Sequence, residues 1–342
     1  WGWRMMFWAM IPLAILVLVV SFFLLTNVGE LKRPHLDVPS IILSTFAFGG
    51  LLYGLSSAST LGWSNAVVIG SIVVGVVALA WFIHRQLHID EPLLQLRALK
   101  TPTFAYSAVI VTVVNSALAV GSVILPIYLQ NVLGLTAFKT GILMTPGAVA
   151  TIFLSPISGM LFDKFGPRVI AIVGLTGLTA SLAALSFVDD KTVVAYLVVF
   201  YVIQSSGLTL ANMPVTTWGI NALSNDMIAH GNAISNTGRQ VGGAVSTALI
   251  VTVMTMVTAA NAEAGPVLST AAGIDVAYGI SAAVAAIALI IAILKVRNTK
   301  KHTATALAQV GASGKVEAEA PVKATVAVAA ACMEEATEGA LR

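Results

Sequence analysis

The sequence predicts an all-α polytopic membrane protein with about nine transmembrane helices. Three observations predict it. The chain is 58% hydrophobic and only 10% charged, with a mean hydropathy of +0.93, whereas soluble domains are roughly a quarter charged. So little charge cannot cover a globule of 342 residues with polar surface, so lipid is the bulk solvent. The apolar residues fall in runs of about 20, the length that crosses a hydrocarbon core about 30 Å thick. The basic residues between the runs are partitioned onto alternate connections.

The expected spans are 5–25, 39–57, 66–83, 104–129, 140–162, 169–188, 193–213, 238–260 and 274–296. Barrel strands would alternate over roughly ten residues, so the run length selects helices. The first connection carries Glu30, Lys32, Arg33, His35 and Asp37, and the second (59–65) carries no charge. Residues 84–103 read as an amphipathic surface segment, with Leu94, Leu96 and Leu99 apolar and Arg85, Arg97 and Lys100 polar. Residues 131–139 and Asp189-Asp190-Lys191 make short turns. Residues 216–237 and 261–273 make longer connections. After Val296 the chain is polar and Ala-rich, and reads as a disordered tail.

With nine spans the connections alternate between sides. Of the 18 Lys and Arg, 15 fall on one side, among them Lys32, Arg33, Arg85, Arg97, Lys100, Lys164, Arg168, Arg239, Lys295 and Arg297. Arg4, Lys139 and Lys191 fall on the other. Positive residues stay in the cytoplasm, which puts Trp1 outside and the C-terminus inside. No charged n-region or cleavage site precedes the first run, so an outer start implies missing upstream spans.

The stretch from Gly159 to Arg168 interrupts two apolar runs with an acid, two bases, two glycines and a proline. Gly159 and Gly166 permit tight turning. Pro167 suits the first turn of the next helix. Asp163 is expected just ahead of that helix, where the dipole favours a carboxylate, beside Lys164 and Arg168. The stretch is either a well-capped hairpin or a two-state latch. Within the spans no Asp or Glu is expected, which places any proton-coupling acid elsewhere. The polar residues Asn115, Gln204 and Asn212 either bond between helices or line a substrate cavity. Gly50-x-x-x-Gly54 and Gly238-x-x-x-Gly242 are small-residue faces for close helix packing or for a dimer seam. Arg239 is expected at the start of a span, as an anchor or as the partner of Asp163. Pro126 and Pro146 are expected to bend their helices.

Gly159-x-Leu-x-Asp163-Lys164-x-Gly166-x-Arg168 resembles the signature loop of the major facilitator superfamily. Thr145-Pro146-Gly147, Ser155-Pro156-Ile157-Ser158 and Asn236-Thr237-Gly238-Arg239-Gln240-Val241-Gly242-Gly243 extend the match, as does the Trp1–Phe7 run. The combination is similar to the fourteen-span drug:proton antiporters of the EmrB/QacA type. That resemblance implies a major facilitator superfamily helical bundle from which the first five family helices are absent. Residues 1–25 would be the last helix of a first bundle. Residues 26–103 would be two linker helices with a cytoplasmic amphipathic linker, 104–296 the second six-helix bundle, and 297–342 a cytoplasmic tail. Gly159, Asp163, Lys164, Gly166 and Arg168 would form a conformational latch. Asn236, Arg239, Gln240, Gly242 and Gly243 would form a cytoplasmic helix-start motif.

The implied function is secondary active export in a bacterial inner membrane by alternating access. Small amphipathic or cationic drug-like compounds would be exchanged for protons, and the partners would be the lipid bilayer and the missing N-terminal bundle. An exporter of a specific metabolite (an amino acid, peptide or lipid) and a non-transporting scaffold are the alternatives. No Walker-type phosphate loop points to ATP, so the proton gradient is the expected energy source, with no cofactor. The five His and Cys332 form no metal or catalytic pattern, so an enzyme is not expected. No basic domain suggests nucleic acid.

Overall fold

The computed structural model describes residues 4–24, 37–89, 92, 94–188 and 192–297. The connection around Lys32 and Arg33, the Asp189-Asp190-Lys191 turn and the tail from 298 lie outside them. Among the described residues the regular structure is all helical: α1 (Arg4–Leu24), α2 (Val38–Leu61), α3 (Ala66–His88), α4 (Pro102–Ile127), α5 (Ala137–Ala184), α6 (Val194–Ile220), α7 (Ile228–Ala260) and α8 (Pro266–Lys295). A 3-10 turn, Leu96–Lys100, precedes α4, and a π turn, Tyr128–Val132, follows it, next to Pro126. Seven of these helices are long and apolar enough to span a bilayer, and α1 holds a shorter apolar stretch, Met10–Phe23.

α5 holds two spans. Its 48 residues would reach about 72 Å if straight, over twice the hydrocarbon thickness. Gly166 breaks it with φ 78° and ψ 170°, a region that is essentially glycine-only. The packing against α6 shows the reversal. Along the first arm, Gly147 faces Tyr201 and Gly159 faces Met213, so the two run in the same direction. Along the second arm, Gly174 faces Ala211, and Ala184 accepts a hydrogen bond from the Tyr196 hydroxyl at 2.8 Å, so the direction is opposite. The expected ten-residue loop is thus a one-residue turn. Asp163 lies in the last turn of the first arm, not ahead of the second, because only Gly166 must leave helical geometry. The helix stays regular through Pro146 and Pro156, so the bend expected at Pro146 is not a break.

Lipid offers no hydrophobic drive between helices, so close backbone approach matters. A Cβ on Gly207 would stand 2.6 Å from both the Gly174 carbonyl oxygen and the Leu178 nitrogen. The core lies around this crossing: Ala171, Leu175, Leu178, Leu182 and Leu185 of the second arm are fully buried, with Ile110, Val114 and Ile124 of α4. α8 meets them with alanines at 277, 285, 288 and 292, which lets it approach closely.

Two boundaries differ from the expected ones. α6 continues to Ile220 and α7 begins at Ile228, so most of the expected 216–237 connection is helix. Arg239 therefore sits about three turns into α7, not at its start. The polar residues Asn232, Ser235 and Asn236 read as a loop, yet no Gly-Pro break interrupts them. α8 begins at Pro266, eight residues before the expected span, because proline suits the first helical turn. Asp275, the second residue of the expected 274–296 span, lies well inside α8, next to the buried Ile274. The expectation that no acid enters a spanning helix is corrected.

α2 and α3 form an antiparallel hairpin in which Gly50 and Gly54 pack on Gly75, Ser71 and Ile72, so that glycine face is intramolecular. Its open end is pinned by Asp37, which takes both Nε (3.0 Å) and Nη2 (2.9 Å) of Arg85, and by the Ser40 hydroxyl, which also donates to Asp37. The buried Gln86 donates to Ser40 at 2.7 Å and accepts from the Leu94 amide at 2.9 Å, drawing the following segment against the hairpin. At the other end the Trp63 indole donates to Thr252 of α7 at 2.7 Å. Among the described residues, Arg168, Lys295 and the segment that carries Arg97 and Lys100 lie at one end, whereas Arg239, assigned to the same side, lies farther in. Arg168 donates to the Ile293 carbonyl at 3.3 Å, Lys295 sits 5.3 Å over the Tyr106 ring, and Ala98 is buried with Phe104 and Leu223.

Two outcomes are expected. Gly207→Ala forces backbone apart and costs about 1–3 kcal/mol, whereas Gly141→Ala, with open space around it, is neutral or slightly stabilising. Melting temperatures in detergent check both. The Arg85 hydrogen bonds, then that of Ser40, hold the Asp37 carboxyl at about 2, below the ordinary value of about 3.9. A carboxylate pKa lowered by folding adds stability that is complete above about pH 4 and lost as pH falls toward 2. The melting difference between the wild type and Asp37→Asn should close over that window.

Candidate functional site

The helical repeat separates two faces of α6. At 100° per residue, Thr209, Asn212 and Thr216 point roughly opposite to Gly207 and Ala211. Gly207 and Ala211 meet the second arm of α5. The opposite stripe, with Leu208, Met213 and Thr217, faces Thr151 and Ser155 of the first arm and Arg239 of α7. Together they line an open groove of about 370 Å³, within the range of small-molecule sites. Thr151 and Ser155 lie roughly 17–22 Å along the first arm from the Gly166 turn, so the groove sits well inside the ends of the helices.

Its walls have a defined polarity. Thr151, Thr209 and Thr216 each donate their hydroxyl proton to a carbonyl four residues back, at 3.0, 2.8 and 2.7 Å. Their oxygens keep lone pairs as acceptors. Arg239 is partly buried, and its Nε is fully buried with no hydrogen-bond partner. None of the lining residues is acidic. A guanidinium carries five donors and no acceptor. The cavity therefore offers a cationic donor fork among neutral acceptors.

Of the three expected cavity residues, only Asn212 lines this space. Gln204 is 3% exposed and lies against α4, where a Cβ on Gly121 would stand 2.6 Å from its Nε2. Asn115 donates to its own helix, to the Val111 carbonyl at 2.8 Å. The helix-start motif divides among the faces of α7. Arg239 enters the cavity, Gly238 and Gly242 pack on Thr112 of α4, and Asn236 is exposed. Gln240 and Gly243 line a second, larger space of about 670 Å³, walled by Tyr53, Leu55 and Ser56 of α2. In the latch stretch Asp163, Lys164 and Arg168 are exposed, and Lys164 sits 5.3 Å over the Phe165 ring. Gly159 meets only Met213, at an ordinary 3.6 Å from a Cβ. Asp163 and Arg239 do not pair here, whereas Arg85 pairs with Asp37. The hydroxyls of Thr151, Ser155, Thr209 and Thr217 were not singled out by the sequence reading. The recurrence of polar residues at 209, 212 and 216 is the signal that finds them.

Comparison with known proteins places the chain in context. The family model described as Major Facilitator Superfamily matches residues 1–247. An uncharacterized MFS-type transporter, YcnB of Bacillus subtilis (strain 168), is 43% identical over 253 residues, which is 74% of this chain and 54% of that protein. The lincomycin resistance protein LmrB of Listeria monocytogenes is 36% identical over 252 residues, with the same shares. The tetracenomycin C resistance and export protein of Streptomyces glaucescens is 25% identical over 250 residues, 73% of this chain and 46% of that protein. The chain spans about half the length of the curated relatives it matches.

The two arginines predict opposite stability effects. Arg85→Met leaves Asp37 without its fork and lowers the detergent melting temperature. Arg239→Met removes a partly buried charge that lacks a partner, and leaves the melting temperature unchanged or raises it. Melting both variants beside the wild type reads the sign directly.

Proposed function

The chain belongs to the Major Facilitator Superfamily, and from that premise we propose that it forms part of a secondary active drug exporter of a bacterial cell membrane. Membership makes it a multi-pass membrane transporter chain. Drug export is supported by relatives named for lincomycin resistance and tetracenomycin C export. The observation that carries the reading is the 370 Å³ groove lined by α5, α6 and α7 of the six-span unit, well inside the ends of those helices, near the depth at which such transporters hold substrate. In this reading alternating access rocks this unit against a second bundle, with the Gly159–Arg168 stretch as the latch.

The same reading takes a proton gradient as the energy source, with no cofactor, and a fourteen-span organisation of the EmrB/QacA type. Asp275 supplies one titratable group within a span. The clustered bases at the Gly166 end support a cytoplasmic C-terminus by the positive-inside rule. The exposed apolar face of α1 suits contact with lipid or with a first bundle.

The test is accumulation of lincomycin or ethidium in a bacterium stripped of its own exporters. The cells express the gene with any reading frame continuous with it upstream. Accumulation should fall several-fold and recover with a protonophore. Accumulation equal to the empty-vector control would overturn export, and protonophore-insensitive export would overturn the coupling. The 342 residues reconstituted alone should show no pH-driven efflux.

A further inference from the structure

We propose that the Arg239 cavity is a subsite for the carboxylate of a small organic acid that also carries N–H or O–H groups, so that anionic or zwitterionic solutes are among those exported. This rests on the export reading for its link to transport, but the binding chemistry stands on the cavity itself.

One charge in the bundle is out of place. Arg239 lies about three turns inside α7, and its buried Nε has no partner. A partly desolvated guanidinium is retained against its cost only where it is compensated. None of the described lining residues is acidic, so these walls supply no counter-charge. A carboxylate does, and it fits the guanidinium fork in two parallel hydrogen bonds. A lone cation meets the same site with repulsion and gains nothing from it.

The rest of the wall selects the neighbouring groups. The Thr151, Thr209 and Thr216 protons are already committed to helical carbonyls, so these oxygens accept and do not donate. A second acceptor on the solute finds no partner there, whereas an amine or hydroxyl does. The Asn212 side chain, which receives only a long 3.5 Å contact from Thr216, can serve either, as can the Ser155 and Thr217 hydroxyls. The cavity is therefore read as one anion fork beside three committed acceptors and three groups that serve either. An oxyanion could also come from a lipid headgroup phosphate, with the same fork, and the experiment separates the two sources.

The 342-residue chain is purified in a neutral detergent and melted with benzoate, benzamide or benzylamine at equal ionic strength. These share one ring and differ in charge. Benzoate should raise the melting temperature by about 2 °C or more, and the other two should not. Arg239→Gln should abolish the benzoate shift, with an apparent affinity loss of about tenfold or more. Arg239→Lys should keep the charge and part of the shift, which guards against a variant that merely misfolds. Both variants must elute as the wild type does. Equal shifts from benzoate and benzamide, or a benzoate shift that survives Arg239→Gln, overturn the proposal. Loss of the benzoate shift when phosphatidylglycerol is doped into the micelles, with phosphatidylcholine inert, assigns the fork to a lipid and overturns the solute subsite. Benzoate binding without export in cells removes the transport reading alone. Export without an Arg239-dependent shift removes the subsite alone.

Discussion

The contact between Gly174 and Gly207 is the constraint on which the rest of the bundle depends. No side chain intervenes where α6 crosses the second arm of α5, and backbone meets backbone. In lipid, apolar side chains gain little by leaving one hydrocarbon environment for another, so such close packing carries much of the association. The contact also fixes the rotation of α6 about its axis. With Gly207 and Ala211 turned to the second arm, the helical repeat obliges Thr209, Asn212 and Thr216 to face the first. The cavity is what remains between the first arm, the outer face of an α6 held by its glycine, and Arg239 of α7.

Run length alone was enough to place the helical segments, because a hydrocarbon slab demands about 20 apolar residues whatever their identity. Gly166 was legible for the same kind of reason: a reversal that tight admits almost no other residue. What failed was depth. Helices that outrun the bilayer carry polar residues on their projecting turns, and polarity reads as loop. That is how the first three turns of α7 were taken for a connection, and how Asp275 was set at a span's edge. The candidate site was half legible. Asn212 and Arg239 stand out by chemistry, but threonines in spans commonly bond to their own helix, so their accepting oxygens draw no notice. Gln204 misled because its polarity suggested a cavity, while Gly121 opposite it leaves a slot in which the amide lies buried.

Arg85 and Arg239 show how differently one residue type is used. Arg85 closes a hairpin against a carboxylate whose second partner is a serine, and Gln86 extends that network to the next segment. It is architecture, complete within the chain. Arg239 has nothing comparable. Proteins tolerate such local inconsistency mainly where function is served, and offset it through packing elsewhere. Here the offset is at hand: Gly238 and Gly242, on the same helix, draw α7 against α4 at Thr112.

A turn of one residue has a consequence for how this protein is made. With Gly166 alone between them, the two arms of α5 leave no length of chain to rest at the membrane surface between one insertion and the next. The first arm cannot finish crossing and wait as a separate helix, because its last turn is already joined to the first turn of its neighbour. The pair must enter the bilayer as a single hairpin, with α6 arriving afterwards to find both walls in place. Biogenesis of this half of the bundle therefore proceeds by pairs, and the order of assembly is written into a connection of one residue.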